Sequence, residues 1–213
     1  KNILMATLLT FSISILLSYL IIYLSKKNSW FLNKDDLIGV QKFHSQPVPR
    51  IAGISVFSSF FIGLWLIDLK ELSYIFMLLA SLPVYIGGII EDVTSRVSPF
   101  LRMIATLASI AIAFIWIDLG IDFLGFEWVD YYLSNYTILS LLFTLLIVSG
   151  LVNAVNIIDG YNGLMAGYSI FVLLAISYIA NILGDDLVLQ LSLILITSLI
   201  GFFVFNFPFG KIF

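Results

Sequence analysis

The chain has 213 residues, of which 61% are hydrophobic and only 11% charged, with a mean hydropathy of +1.11. Ten Lys+Arg and thirteen Asp+Glu cannot coat the surface of a water-soluble domain, which carries about a quarter of its residues as charges, so the solvent of this chain is lipid. Cysteine is absent and histidine occurs once, which excludes disulfides, thiolate or multi-histidine metal sites and a cysteine nucleophile; a net charge of −3 gives no argument for nucleic acid.

Seven apolar runs follow one another, at about Ile3 to Leu24, Ile51 to Ile67, Leu72 to Ile90, Met103 to Ile117, Thr137 to Val152, Leu164 to Leu183 and Leu187 to Phe205. Helices of these lengths, rising 1.5 Å per residue, suit a hydrocarbon layer about 30 Å thick, with the fourth and fifth runs short. The fold class expected is all-α: one polytopic transmembrane bundle over residues 1–213 with about seven spans. The first run is longer than the core of a signal peptide and has Lys26 and Lys27 on its far side, so it reads as a true span.

Lys and Arg beside membrane ends are retained in the cytoplasm. Eight of the ten, namely Lys26, Lys27, Lys34, Lys42, Arg50, Arg96, Arg102 and Lys211, fall in one set of connections. That places the amino terminus outside and the loops 25–50, 91–102, 153–163 and 206–213 in the cytoplasm. The opposite connection at 118–136 has four acids and no base, with Trp128, Tyr131, Tyr132 and Tyr136. Such rings settle at a membrane interface, and an external binding site is the alternative. Pro83 inside the third run and Gly87-Gly88 near its end are read as a kink, with close helix approach the alternative.

Three polar clusters stand on the cytoplasmic side, where lipid does not force polar groups out. The first is Gln41-Lys42-Phe43-His44-Ser45-Gln46-Pro47-Val48-Pro49-Arg50-Ile51-Ala52-Gly53, whose prolines fix an extended approach to the second span. Lys42, His44 and Arg50 can meet a phosphate or act only as positive anchors. The second is Glu91-Asp92, followed after nine residues by Arg102. Adjacent carboxylates suit Mg²⁺ or Mn²⁺, which share hard oxygen ligands with substrate phosphates, and equally suit a solvated loop. The third runs from Asn153 through Asn156 and Asp159 to Gly160, Asn162 and Gly163. Its three-residue recurrence puts the first three polar groups near one helical face, and a plain turn has no use for amides on an apolar approach.

These residues resemble the polyprenyl-phosphate N-acetylhexosamine-1-phosphate transferases, the membrane enzymes of WecA and MraY type, over essentially the whole chain. The carrying element is Asn153-Ala154-Val155-Asn156-Ile157-Ile158-Asp159-Gly160-Tyr161-Asn162-Gly163-Leu164, similar to the family's N-A-x-N-x-x-D-G-x-D-G-L. Lys42 to Gly53 resembles its K-x-H-x-x-P-x-P-R-x-G-G, and Glu91-Asp92 its Asp-Asp pair.

The resemblance implies a Mg²⁺- or Mn²⁺-dependent transfer of a sugar 1-phosphate from a UDP-N-acetylamino sugar to a polyprenyl phosphate such as undecaprenyl phosphate. UMP leaves, at the cytoplasmic face of a bacterial inner membrane, and a lipid-linked glycan such as O-antigen, capsule or teichoic acid is begun. By the same resemblance Asp92, Glu91 and Asp159 are catalytic, Asp92 keeping the acceptor phosphate deprotonated, and Asp159 and Asp92 hold the metal. Asn153, Asn156, Asn162, Lys42, His44, Arg50 and Arg102 contact substrate, and a homodimer is compatible with this reading. The donor expected is GlcNAc-like or a 6-deoxy amino sugar.

Glu91, Asn162 and Ala52 stand where the family has Asp, Asp and Gly. In the family the stretch resembling Phe205 to Phe213 leads into a G-D-x-G-S-like segment with a principal metal ligand, so the chain is expected to be a fragment, inactive alone. A proton- or cation-coupled transporter is the competing reading, and it places acids near the bilayer midplane rather than at span ends. A non-catalytic membrane scaffold explains the composition but leaves Asn153, Asn156 and Asp159 without a use.

Overall fold

The computed structural model describes residues 3–28, 48–67, 72–94, 97–158 and 161–213. They form eight helices: α1 Ile3–Asn28, α2 Ala52–Leu66, α3 Leu72–Thr94, α4 Pro99–Ile117, α5 Glu127–Asn135, α6 Thr137–Ile158, α7 Leu164–Leu183 and α8 Asp186–Asn206. Every apolar run in the sequence is a helix. Six are long and apolar enough to cross a membrane, while α2 has 15 residues. The protein is a multi-pass membrane protein with no strand among the helices of its described residues.

Two compact units divide the chain. The first spans residues 1–69 and 158–213 and holds α1, α2, α7 and α8. Here α8 packs on α1, α2 and α7, and α1 packs on α2. The apolar surface of a helix gives no drive for association in lipid, so close backbone approach and interhelical hydrogen bonds must do it. Ala6, Thr10, Ser14 and Ser18 recur at every fourth residue of α1, one face of a helix, and all four are buried.

That stripe meets small residues on both partners. Ser14 Oγ donates to the Ser198 carbonyl of α8 at 2.6 Å, and Ser18 Oγ donates to Ser55 Oγ of α2 at 3.0 Å. Ser198 Oγ in turn donates to the Val56 carbonyl at 2.7 Å and lies 2.6 Å from Ser59 Oγ. Two glycines permit this spacing. A Cβ on Gly63 would overlap Thr10 Oγ1, and one on Gly201 would lie 2.5 Å from Ser14 Cβ.

The second unit spans residues 70–157 and holds α3 to α6. Helices α3 and α4 form an antiparallel hairpin: Val84 N donates to Ser109 Oγ at 3.0 Å, and a Cβ on Gly87 would sit 3.1 Å from Ala105 Cβ. Proline removes a donor and disturbs the helical ladder around it. Ser109 accepts from the residue that follows Pro83, and Gly87 makes the close approach.

Beyond α4 the chain is fastened to α6. Ile121 N donates to the buried Thr144 Oγ1 at 2.8 Å, and Ser140 Oγ donates back to the Ile121 carbonyl at 3.4 Å. Asp130 of α5 then accepts from Leu124 N at 2.6 Å and Gly125 N at 3.1 Å. These bonds satisfy backbone groups that an irregular segment near lipid cannot leave bare, and they turn the 118–136 connection into an ordered platform.

Candidate functional site

In the second unit, α3 does not stop where its apolar run stops. It continues through Glu91 and Asp92 to Thr94, and α6 likewise continues through Asn153 and Asn156 to Ile158. Helix α4 starts at Pro99, with Ser98 accepting from Leu101 N at 3.3 Å as its cap. Proline at the first helical turn loses nothing, because that turn's N–H has no intrahelical partner. Arg102 is thereby fixed one turn into α4.

Continuing the antiparallel register from Val84–Ser109 and Gly87–Ala105 brings Glu91 and Asp92 to the level of Leu101 and Arg102. Across from this, α4 and α6 line a hollow of about 390 Å³. Its polar residues include Arg102, Asn153 and Asn156, and its apolar ones include Met103, Leu146 and Val152. Arg102 is half-buried, and Asn153 and Asn156 are exposed. Glu91 Oε2 is buried without a hydrogen-bond partner. The hollow thus collects a guanidinium and two amides above an apolar floor, while Glu91 and Asp92 stand on α3 and are not among its lining residues.

The first unit holds Arg50 and Asn162. Both belong to segments tied by the chain's last eight residues. Phe213 N donates to the Pro49 carbonyl at 2.8 Å, and Ala52 N donates to the Phe213 carbonyl at 3.3 Å, so Arg50 sits in a stretch paired with Phe213. Asn206, only 4% exposed, closes the other side. Its Oδ1 accepts from Gly163 N at 2.5 Å, and its Nδ2 donates to the Ile212 carbonyl at 2.9 Å.

Gly163 has φ of +79°, and a Cβ there would fall 2.7 Å from Phe207 Cβ, so glycine is required on both conformational and steric grounds. Ile212 is fully buried with Ile22, Ala52, Ala166 and Phe202. Asn162 Oδ1, next to this clasp, is buried with no hydrogen-bond partner.

Asn206 is the organising residue that sequence reasoning missed; its signal was a lone amide closing a long apolar run just before Phe-Pro. Lys42, His44 and Asp159 lie outside the described residues. Among the described residues, no three His, Cys, Asp or Glu side chains come together as a metal cluster.

The model of glycosyl transferase family 4 matches residues 74–213. The chain belongs to that family. It is 28% identical over 206 residues to a Bacillus subtilis protein named as a probable undecaprenyl-phosphate N-acetylglucosaminyl 1-phosphate transferase, a match covering 95% of this chain and 56% of that protein. To the undecaprenyl-phosphate alpha-N-acetylglucosaminyl 1-phosphate transferase of Thermotoga maritima it is 26% identical over 187 residues, 88% of this chain and 52% of the relative. A shorter match, 39% over 72 residues, links it to the phospho-N-acetylmuramoyl-pentapeptide-transferase of Streptococcus thermophilus, covering 34% of this chain and 21% of that enzyme. The chain spans little more than half the length of the Bacillus subtilis and Thermotoga maritima relatives it matches. The family match covers the second unit almost entirely, together with α7, α8 and the clasp.

Proposed function

We propose that the protein transfers an N-acetylamino-sugar 1-phosphate, GlcNAc 1-phosphate first among the candidates, from its UDP-sugar to a polyprenyl phosphate. The reaction is placed at the cytoplasmic face of the bacterial inner membrane, where it starts a lipid-linked surface glycan. The observation that carries this reading is the α4–α6 hollow, with Arg102, Asn153 and Asn156 set over Met103, Leu146 and Val152. A phosphate on a long isoprenoid tail needs cationic and amide groups beside an apolar surface open to lipid. Two of the curated relatives matched over most of the chain are named for this chemistry with undecaprenyl phosphate and N-acetylglucosamine.

In the reaction an oxygen of the polyprenyl phosphate attacks the sugar-bearing phosphorus of the UDP-sugar. The bond from that phosphorus to the bridging oxygen breaks, UMP departs with the electron pair, and a lipid-linked diphosphate sugar remains. Such a transfer demands positioning and charge neutralisation more than covalent help from the protein. Arg102 neutralises phosphate charge, Asn153 and Asn156 donate hydrogen bonds to phosphate or sugar oxygens, and Asp92 keeps the acceptor phosphate deprotonated. In the first unit, Arg50 and Asn162 act on the nucleotide sugar, as do Lys42 and His44.

Asp92 and Asp159, with Glu91 adjoining, would hold Mg²⁺ or Mn²⁺. The fit is supported by Glu91 Oε2, a buried carboxylate oxygen without a partner, since Mg²⁺ is commonly held by one or two carboxylates and completed by substrate phosphates and water. A cation held there would supply charge neutralisation for the diphosphate.

The test uses the full-length protein in membranes with undecaprenyl phosphate, Mg²⁺ and a panel of UDP-N-acetylamino sugars, following UMP release. The expected result is release dependent on acceptor and metal and abolished by Asp159→Asn and Asp92→Asn. Release that persists in both variants overturns the assignment of residues; no acceptor-dependent release from any donor overturns the reaction.

A further inference from the structure

Along α6 the lining of the α4–α6 hollow includes Leu146, Ser149, Gly150, Asn153 and Asn156, and along α4 it includes Arg102, Met103 and Thr106. These spacings keep each set on one helical face. On each helix about one turn separates a small residue from a polar one, Gly150 from Asn153 and Thr106 from Arg102. We infer that Gly150 is a specificity-determining residue for the acceptor. The space in front of it takes the methyl branch of the first isoprene unit, so a prenyl phosphate is preferred to a straight-chain alkyl phosphate. The inference rests on the reaction proposed above and names the part of the acceptor that this site reads.

Neither conformation nor packing requires glycine at 150. The residue lies inside α6 without a positive φ, and a Cβ there would meet nothing within 4 Å. Alanine would make the better helix. Gly87 and Gly201 differ, since a Cβ on either would press on a neighbouring helix. The open volume before Gly150 belongs instead to the hollow that it lines.

This turn of the two helices also suits hydrocarbon. Thr106 Oγ1 donates to the Arg102 carbonyl at 3.0 Å, and Ser149 Oγ donates to the Leu146 carbonyl at 3.3 Å. Both hydroxyl protons are engaged within their own helices, so an occupant at this level finds no donor. A phosphate held by Arg102, Asn153 and Asn156 brings the start of its carrier chain to the same level. Three helical residues rise about 4.5 Å, a reach comparable with the few bonds between the phosphate and the carbon that bears the first methyl branch. An unbranched chain leaves the space before Gly150 unfilled and forfeits its contacts.

The experiment compares binding of hexahydrofarnesyl phosphate and dodecyl phosphate, saturated probes of one main-chain length that differ only in methyl branches. Binding to the full-length protein in detergent is read by native mass spectrometry, and UMP release with undecaprenyl phosphate is followed alongside. The unaltered protein should favour the branched probe by about tenfold, the low end for one methyl-sized group in an apolar pocket. Gly150→Leu, which fills the space, should erase that preference while dodecyl phosphate binding and the KM for the UDP-sugar stay unchanged. Gly150→Ala should erode it in part, with a Tm at or above that of the unaltered protein, which separates the effect from a loss of folding. No preference in the unaltered protein, a preference that survives Gly150→Leu, or equal loss of both probes would each overturn the proposal. The expected Gly150 response without UMP release from any donor supports the proposal and overturns the reaction; acceptor-dependent release with that response missing does the reverse.

Discussion

Replacing Gly201 by alanine isolates what holds the first unit together. The added Cβ would lie 2.5 Å from Ser14 Cβ and 3.0 Å from the Phe11 carbonyl oxygen, whereas carbon atoms rest about 3.5–4.0 Å apart. Backbone stands on one side of the clash, so α1 and α8 must separate by about 1 Å. That separation stretches the 2.6 Å bond from Ser14 Oγ to the Ser198 carbonyl beyond hydrogen-bond range and strains the 2.6 Å Ser59–Ser198 pair.

Two interhelical bonds at about 0.6 kcal/mol each account for roughly 1 kcal/mol. Overpacking adds about 1–3 kcal/mol, and the better helix propensity of alanine returns about 1 kcal/mol. The expected net loss is about 1–3 kcal/mol, or roughly 2–10 °C in Tm at this chain length. Gly88→Ala is the control: its Cβ would meet nothing within 4 Å, so it keeps the propensity gain of up to about 1 kcal/mol. Thermal unfolding of both variants in the same detergent decides the matter. A Gly201→Ala protein that melts with or above Gly88→Ala would refute the claim that close approach of α1 and α8 stabilises the unit.

Asn206→Ala leaves Gly163 N and the Ile212 carbonyl without their partner, at about 1–3 kcal/mol for each buried group. Hydrogen exchange of amides 161–166 and 210–213 should accelerate together, and unchanged protection there would refute the clasp. Arg102→Ala should lower kcat/KM for the polyprenyl phosphate by roughly 10–150-fold, the equivalent of one charged hydrogen bond at about 1.5–3 kcal/mol. Acceptor titrations that superimpose on those of the unaltered protein would remove Arg102 from the site. Glu91→Gln retains shape and removes charge, so the Mg²⁺ concentration for half-maximal rate should rise about tenfold or more; coincident Mg²⁺ titrations would take Glu91 out of the metal's surroundings.

All seven apolar runs were legible as helices, six of them long enough to span, because lipid imposes a length of apolar chain and a helix is its economical backbone solution. The helix ends were not. Hydropathy marks where lipid stops, whereas the hydrogen-bond ladder runs on through Glu91, Asp92, Asn153 and Asn156. Helix α5 escaped for a different reason: its nine residues, two acids and three aromatics among them, carry no side-chain cap at Phe126, and the turn before it is held by Asp130 reaching back to Leu124 and Gly125. The α1 stripe of Ala6, Thr10, Ser14 and Ser18 was present as a period, but nothing local names Gly63 and Gly201 as its partners.

For the site, residue types and spacing singled out Glu91, Asp92, Arg102, Asn153 and Asn156 because each polar group stands where lipid would otherwise remove it. The clasp around Asn206 was invisible because its meaning depends on Gly163, 43 residues away, and on the two backbone bonds that return Phe213 to Pro49 and Ala52. The run-on helix ends have a mechanical consequence. Polar side chains carried on α3, α4 and α6 are held by helices whose apolar lengths are buried in lipid or in each other, and such elements hold reacting groups to tighter tolerances than loops do. A phosphate entering sideways from the bilayer would thus meet Arg102, Asn153 and Asn156 already set over the apolar floor of one hollow.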